Sequence, residues 1–164
     1  MNSAFDPLTL GFWQTIGMAI GCALIVGFER QIRGKPAGMR TSTLICLGTT
    51  IFVYLGTVLD GGVGDPARVI GQVVTGIGFL GGGVILSREG VVVGVTTAAV
   101  IWMLAAIGSL IGLGFFSAAF VLSLLTVGVL QGVELMEKSF TALRGGVHNR
   151  RQQEEKGNGT SVEQ

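Results

Sequence analysis

The side chains able to do chemistry are few, and they sit at the edges of long apolar runs. Asp65, Arg68 and Gln72 follow at i, i+3 and i+7, which puts an acid, a cation and an amide on one face of any helix they share. An unpaired arginine at a membrane boundary is expensive, and Asp65 is its nearest partner in sequence. The three would make a polar entrance. The plain alternative is an Asp65 cap on a helix N-terminus beside a snorkelling Arg68. Glu29 and Arg30 close the first apolar run, where helix-end pairing or lipid anchoring is ordinary. Arg40-Thr41 and Thr96-Thr97 open two later runs, and their hydroxyls suit helix caps.

Metal and redox chemistry are thinly supplied. Cys22 and Cys46 lie in separate apolar runs with no CxxC spacing, and His148 stands alone near the C-terminus. Free packed thiols fit this pattern better than zinc or a disulfide. Asp60 and Asp65 are the carboxylates open to a magnesium ion on one side, and no acid falls in mid-run, which weighs against a cation pathway. No metal ligand set is assigned, and no cofactor is expected. Gly76-Ile-Gly78-Phe-Leu-Gly81 matches the dinucleotide pattern G-x-G-x-x-G. No strand precedes it, however, and the position about 20 residues on, near Ile101, is apolar. Without a phosphate loop or a nucleophile–base pair, the reading is not an enzyme.

These residues must be held by something other than a soluble domain. Of 164 residues, 49% are apolar, 28 are glycine and 13% are charged, against about 25% charged in an ordinary domain. Residues 7–28, 41–59, 69–87 and 90–133 carry no charge, giving runs of 22, 19, 19 and 44 residues. About 20 helical residues cross about 30 Å of hydrocarbon, so three runs span once and the last spans twice. The chain therefore reads as an all-α polytopic membrane helix bundle, with the lipid bilayer as its solvent. Helices are expected near 8–28, 41–59, 67–86, 96–113 and 115–135. A net charge of +1 offers no surface for nucleic acid.

Orientation follows from the cations. Arg30, Arg33, Lys35, Arg40 and Arg88 fall on the same side as the basic residues of the tail, and only Arg68 falls opposite. The positive-inside rule then puts the N-terminus outside and the C-terminus in the cytoplasm. The first run lacks a basic n-region and is too long for a signal peptide, so it is read as a retained helix. Residues 1–137 form the transmembrane domain and 138–164 a short cytoplasmic tail, whose polar composition predicts disorder beyond about 145.

Glycine spacing is the remaining signal. Gly17/Gly21, Gly78/Gly82, Gly108/Gly112 and Gly128/Gly132 each remove a side chain every fourth residue, which lets two backbones approach closely. This serves either packing within one bundle or docking to a second protomer or another membrane protein. The third run holds Gly71, Gly76, Gly78, Gly81, Gly82 and Gly83, and close helix packing is their expected use. Gly34…Gly38-Met-Arg-Thr41 and Gly90…Gly94-Val-Thr-Thr97 also align at an offset of 56, the pattern of two parallel repeats.

Several of these segments carry a resemblance. Gly27-Phe-Glu-Arg-Gln31, Gly38-Met-Arg-Thr41, Asp65-Pro-Ala-Arg68, the Gly-rich run from Gln72 to Ile85 and Gly94-Val-Thr-Thr-Ala-Ala99 resemble, in order and spacing, the signature of the MgtC/SapB family. The likeness covers residues 15–112. It implies a multi-pass protein of the bacterial inner membrane, linked to growth in low magnesium and, in pathogens, to virulence. Glu29, Arg30, Arg40, Thr41, Asp65, Arg68, Gln72, Thr96 and Thr97 are the functional candidates by motif position. The implied role is a non-enzymatic regulator that docks helix to helix with membrane partners, a homo-oligomer or the proton-translocating ATP synthase among them. The alternative is a small transporter or channel for Mg²⁺ or another solute. Longer members carry a folded cytoplasmic C-terminal domain, so this chain is expected to be a short form.

Overall fold

A 23-residue helix, uncharged as far as Phe28, makes α1, Leu10–Ile32. It stops where Gly34 enters the left-handed region at φ +61. There Lys35 N–H bonds the Arg30 carbonyl and Gly34 N–H bonds that of Gln31, a Schellman closure of the last turn. The computed structural model describes residues 6–58, 65–88, 91–133 and 135–136. After α1 come α2 (Met39–Val58), α3 (Pro66–Gly83), a hairpin of β1 (Leu86–Arg88) and β2 (Val91–Val93), and α4 (Val95–Gly112). The chain then enters α5, Phe116–Val133. Asp65 caps α3 by accepting from the N–H groups of Ala67 and Arg68 at 3.0 and 3.3 Å, with Pro66 at the first helical position. Gly114, at φ +86, closes α4 as Gly34 closes α1.

Residues up to Val127 form one compact unit and those from Gly128 a second. The bundle core belongs to the first. Helix α4 is its centre: Val100, Ile101, Leu104, Ile107 and Ile111 are all buried. Ala19, Cys22, Ala23 and Val26 of α1, with Cys46 and Val53 of α2, complete the core. Gly108 and Gly112 bring α4 onto α2. A Cβ at Gly108 would lie 2.6 Å from the Cys46 carbonyl oxygen, and one at Gly112 would lie 2.7 Å from that of Thr50. The Thr50 hydroxyl uses the same proximity to bond the Gly108 carbonyl at 3.0 Å. Contacts that climb both helices together make α2 and α4 parallel, as two parallel repeats require.

Four helices, α1, α2, α4 and α5, are long and apolar enough to cross a membrane. Helix α3 falls short on apolarity, diluted by Arg68, Gln72 and its glycines. It nevertheless runs the depth of the bundle, from Val69 beside Gly56 near the end of α2 to Gly81 beside Ala98 and Trp102 near the start of α4.

Two expectations change here. Helix α1 does not stop at 28 but continues to Ile32, so Glu29 and Arg30 belong to its last turn. Helix α3, expected over 67–86, ends at Gly83, and the connection after it contains a two-stranded antiparallel pairing of Leu86 with Val93, Ser87 with Val92 and Arg88 with Val91. The expected tail from 138, its disorder beyond 145 and Asp60 lie outside the described residues.

Candidate functional site

The candidate residues separate to opposite ends of the bundle. At the end where α1 finishes and α2 and α4 begin, Glu29, Arg30 and Thr97 are 5%, 3% and 4% exposed. Arg30 is the clasp of this end. A guanidinium nitrogen donates to the Thr97 hydroxyl at 2.8 Å, tying α1 to the first turn of α4. Its Nε donates to the Pro36 carbonyl at 3.4 Å, holding the α1–α2 connection beneath it.

That connection is strained and then fixed. Ala37 sits at φ +61, a region that costs an L-residue roughly 1–2 kcal/mol. Its carbonyl accepts from the Ser42 hydroxyl at 3.0 Å. The Gln31 side chain accepts from Met39 N–H at 3.3 Å. Gly27 permits the tight entry of α2, since a Cβ there would stand 2.7 Å from the Met39 Cα.

Glu29 completes the cluster. One carboxylate oxygen is 2.7 Å from Arg33 Nε, an i,i+4 pair with Arg33 partly open to solvent. Among the described residues no group reaches the second oxygen, which is buried. A buried carboxylate with one free oxygen is a high-energy arrangement, stabilised here by the two guanidinium groups on the same turn. Arg40, Thr41 and Thr96 share this end but are exposed. None of the threonines caps its helix in the expected way: α2 begins two residues before Thr41, α4 is capped by Gly94 at φ +94, and Thr97 faces Arg30 instead. Sequence reading placed Arg30 and Thr97 in different motifs. Their link spans 67 positions and has no local signature.

Asp65, Arg68 and Gln72 lie at the far end, all three exposed. Asp65 is occupied as the α3 cap, and among the described residues no ion pair joins it to Arg68. The Asp65 cap of the plain alternative is therefore present.

Helix α3 carries a consistent pattern beyond these three. It turns Val73 and Ile77 inward, onto a cluster with Ile101 and Ala105. Its opposite face presents Arg68, Gly71, Gln72, Thr75, Gly76, Phe79, Gly82 and Gly83, every one exposed. Among the described residues the expected close approach at the α3 glycines is not made: a Cβ at Gly76, Gly78, Gly82 or Gly83 would meet nothing within 4 Å. Gly81 alone of that group has a neighbour, Ala98 at 3.7 Å, an ordinary contact. Intrachain tightness comes instead from Gly27, Gly56, Gly94, Gly108 and Gly112. Of the metal-type side chains, no group of three or more His, Cys, Asp or Glu gathers among the described residues.

The chain is 46% identical over 120 residues to YhiD of Escherichia coli K12, named as a candidate magnesium transporter, covering 69% of this chain and 55% of YhiD. It is 43% identical over 105 residues to the protein MgtC of Brucella abortus, covering 64% of this chain and 44% of that one. It is 34% identical over 155 residues to the protein SrpB of Synechococcus elongatus, covering 84% of each. The chain thus spans about half the length of the YhiD and MgtC relatives. No solved structure matches it. The MgtC family model matches residues 16–139, which takes in α1 to α5 almost entirely. With its apolar helices and these relatives, the chain is a multi-pass bacterial membrane protein and belongs to the MgtC family.

Proposed function

We propose that this protein is a magnesium-related, non-enzymatic regulator of the bacterial inner membrane that works by docking α3 onto a membrane partner. The observation that carries the reading is the polar, glycine-bearing face that α3 leaves exposed. A helix facing lipid should turn its apolar side outward, because acyl chains cannot satisfy polar groups. Helix α3 departs from that along one face: Val73 and Ile77 face α4, while Arg68, Gln72, Thr75 and four glycines face away, with Phe79 exposed among them. Removing side chains along that face lets another helix come close, and Gln72 supplies an amide for an interhelical hydrogen bond. A second copy of the chain and the ATP synthase are the partners to test first.

A photo-crosslinking amino acid at Phe79, which is 86% exposed on that face, tests this directly in native membranes. The reading expects a discrete protein adduct. Lipid adducts alone would overturn it.

The second reading is a small transporter or channel lined by the same face, and the name of YhiD favours it. Purified protein in liposomes holding a magnesium-sensitive dye separates the two. Magnesium entry lost in Arg68→Ala supports transport, whereas no entry through folded protein supports the docking role.

A further inference from the structure

We propose that the β1–β2 hairpin is an interfacial anchor whose partner is the lipid headgroup layer at the basic end of the bundle. This goes beyond the docking role of α3 and does not depend on it. Apart from Ser87 and Arg88, the strand residues are apolar. Leu86 and Val93 pair on one side and are 53% and 43% exposed, while Val92, opposite Ser87, is 60% exposed on the other. Ile85 and Val95 flank it at 40% and 56%. An isolated two-stranded hairpin is marginal in water, and no third strand pairs with this one among the described residues.

Its attachment fixes its depth. Val84 and Ile85 N–H groups bond the Gly81 and Gly82 carbonyls at the end of α3. Gly94, at φ +94, packs against the Val84 carbonyl, and its own carbonyl accepts from Ala98 N–H inside α4. The strands therefore lie directly between the end of α3 and the start of α4, which is apolar and long enough to cross the membrane. Strands of three residues reach about 10 Å at about 3.3 Å per residue. The headgroup layer on each side of a bilayer is about 5–8 Å thick.

Chemistry selects the same depth. The open strand edges need hydrogen-bond partners that hydrocarbon lacks, and five exposed apolar side chains disfavour bulk water. The boundary supplies both: phosphate, glycerol and water for the edges, and upper acyl chain for the side chains. Arg40, exposed at the same end, adds complementary charge for anionic headgroups.

The test uses the full chain in liposomes of phosphatidylethanolamine and phosphatidylglycerol, with a nitroxide at Val92→Cys. Collision with oxygen is compared with collision with a water-soluble nickel chelate, and Lys35→Cys is the reference. Cys22 and Cys46 are buried, so the label goes to the introduced thiol. The oxygen-to-nickel ratio is expected to be severalfold higher at Val92 than at Lys35. Equal ratios would put the hairpin in water, and protection from both reagents would put it under protein; either result overturns the anchor. Val93→Cys, on the other face, reads the same depth if Val92→Cys fails to insert.

Discussion

Two glycine-bearing surfaces of this molecule use the same residue to opposite ends. On α4, Gly108 and Gly112 are consumed by the fold: the α2 backbone occupies the space their side chains would need. On α3, Gly76, Gly78, Gly82 and Gly83 face open space. Small-residue spacing alone does not distinguish a seam from a vacant face. What distinguishes them is whether the face around the glycines is buried and apolar or exposed and polar at its N-terminal end. The α4 seam is flanked by Leu104, Ile107 and Ile111, all buried, whereas the α3 face is flanked by Arg68, Gln72 and Thr75, all exposed.

The comparison can be broken by substitution. Gly108→Leu should have the largest effect on folding, because it forces a branched side chain into a backbone carbonyl. We expect loss of folded, monodisperse protein in detergent, a greater cost than the roughly 1–3 kcal/mol of ordinary overpacking. Recovery of stable protein would show that the α2–α4 seam can open. Arg30→Met comes next: it leaves the Thr97 hydroxyl and the Pro36 carbonyl without their charged donor, a loss of about 1.5–3 kcal/mol. In a double-mutant cycle with Thr97→Val the two changes should be non-additive, and simple additivity of the melting shifts would dissolve the clasp.

Smaller effects sharpen the picture. Asp65→Ala removes the α3 cap and should cost about 1 kcal/mol in thermal stability, with no further loss from any Arg68 pair. Ala37→Gly relieves the left-handed residue in the α1–α2 connection and should stabilise by about 1 kcal/mol. A lowered melting temperature would mean that the methyl group's packing outweighs the strain.

Much of this architecture was legible in the sequence, and the reason is physical. Hydrocarbon thickness sets span length, so charge-free runs located all five helices within a few residues. Asp65-Pro66 announced the start of α3 through a cap and a fixed φ. Other features had no such local cause. Helix α1 runs past Glu29-Arg30 because their charges are held inside the protein, by Arg33 and by Thr97 on a distant helix. The hairpin after α3 was missed, although the β-branched run Val91-Val92-Val93 signals strand. The candidate residues looked alike as motif positions, yet only Glu29, Arg30 and Thr97 converge. Asp65, Arg68 and Gln72 stay on the surface at the other end. Which glycines are packed depends on where each face points, and local spacing does not carry that.

The most direct test is Gly82→Leu, read for folding and for function in the same preparation. A Cβ at Gly82 meets nothing within 4 Å, so membrane insertion and melting temperature should match wild type. Complementation of growth in magnesium-poor medium, in a strain lacking the native protein, should nevertheless be lost. Wild-type growth supported by a folded Gly82→Leu protein would contradict the account, because the open face of α3 would then have no partner to admit.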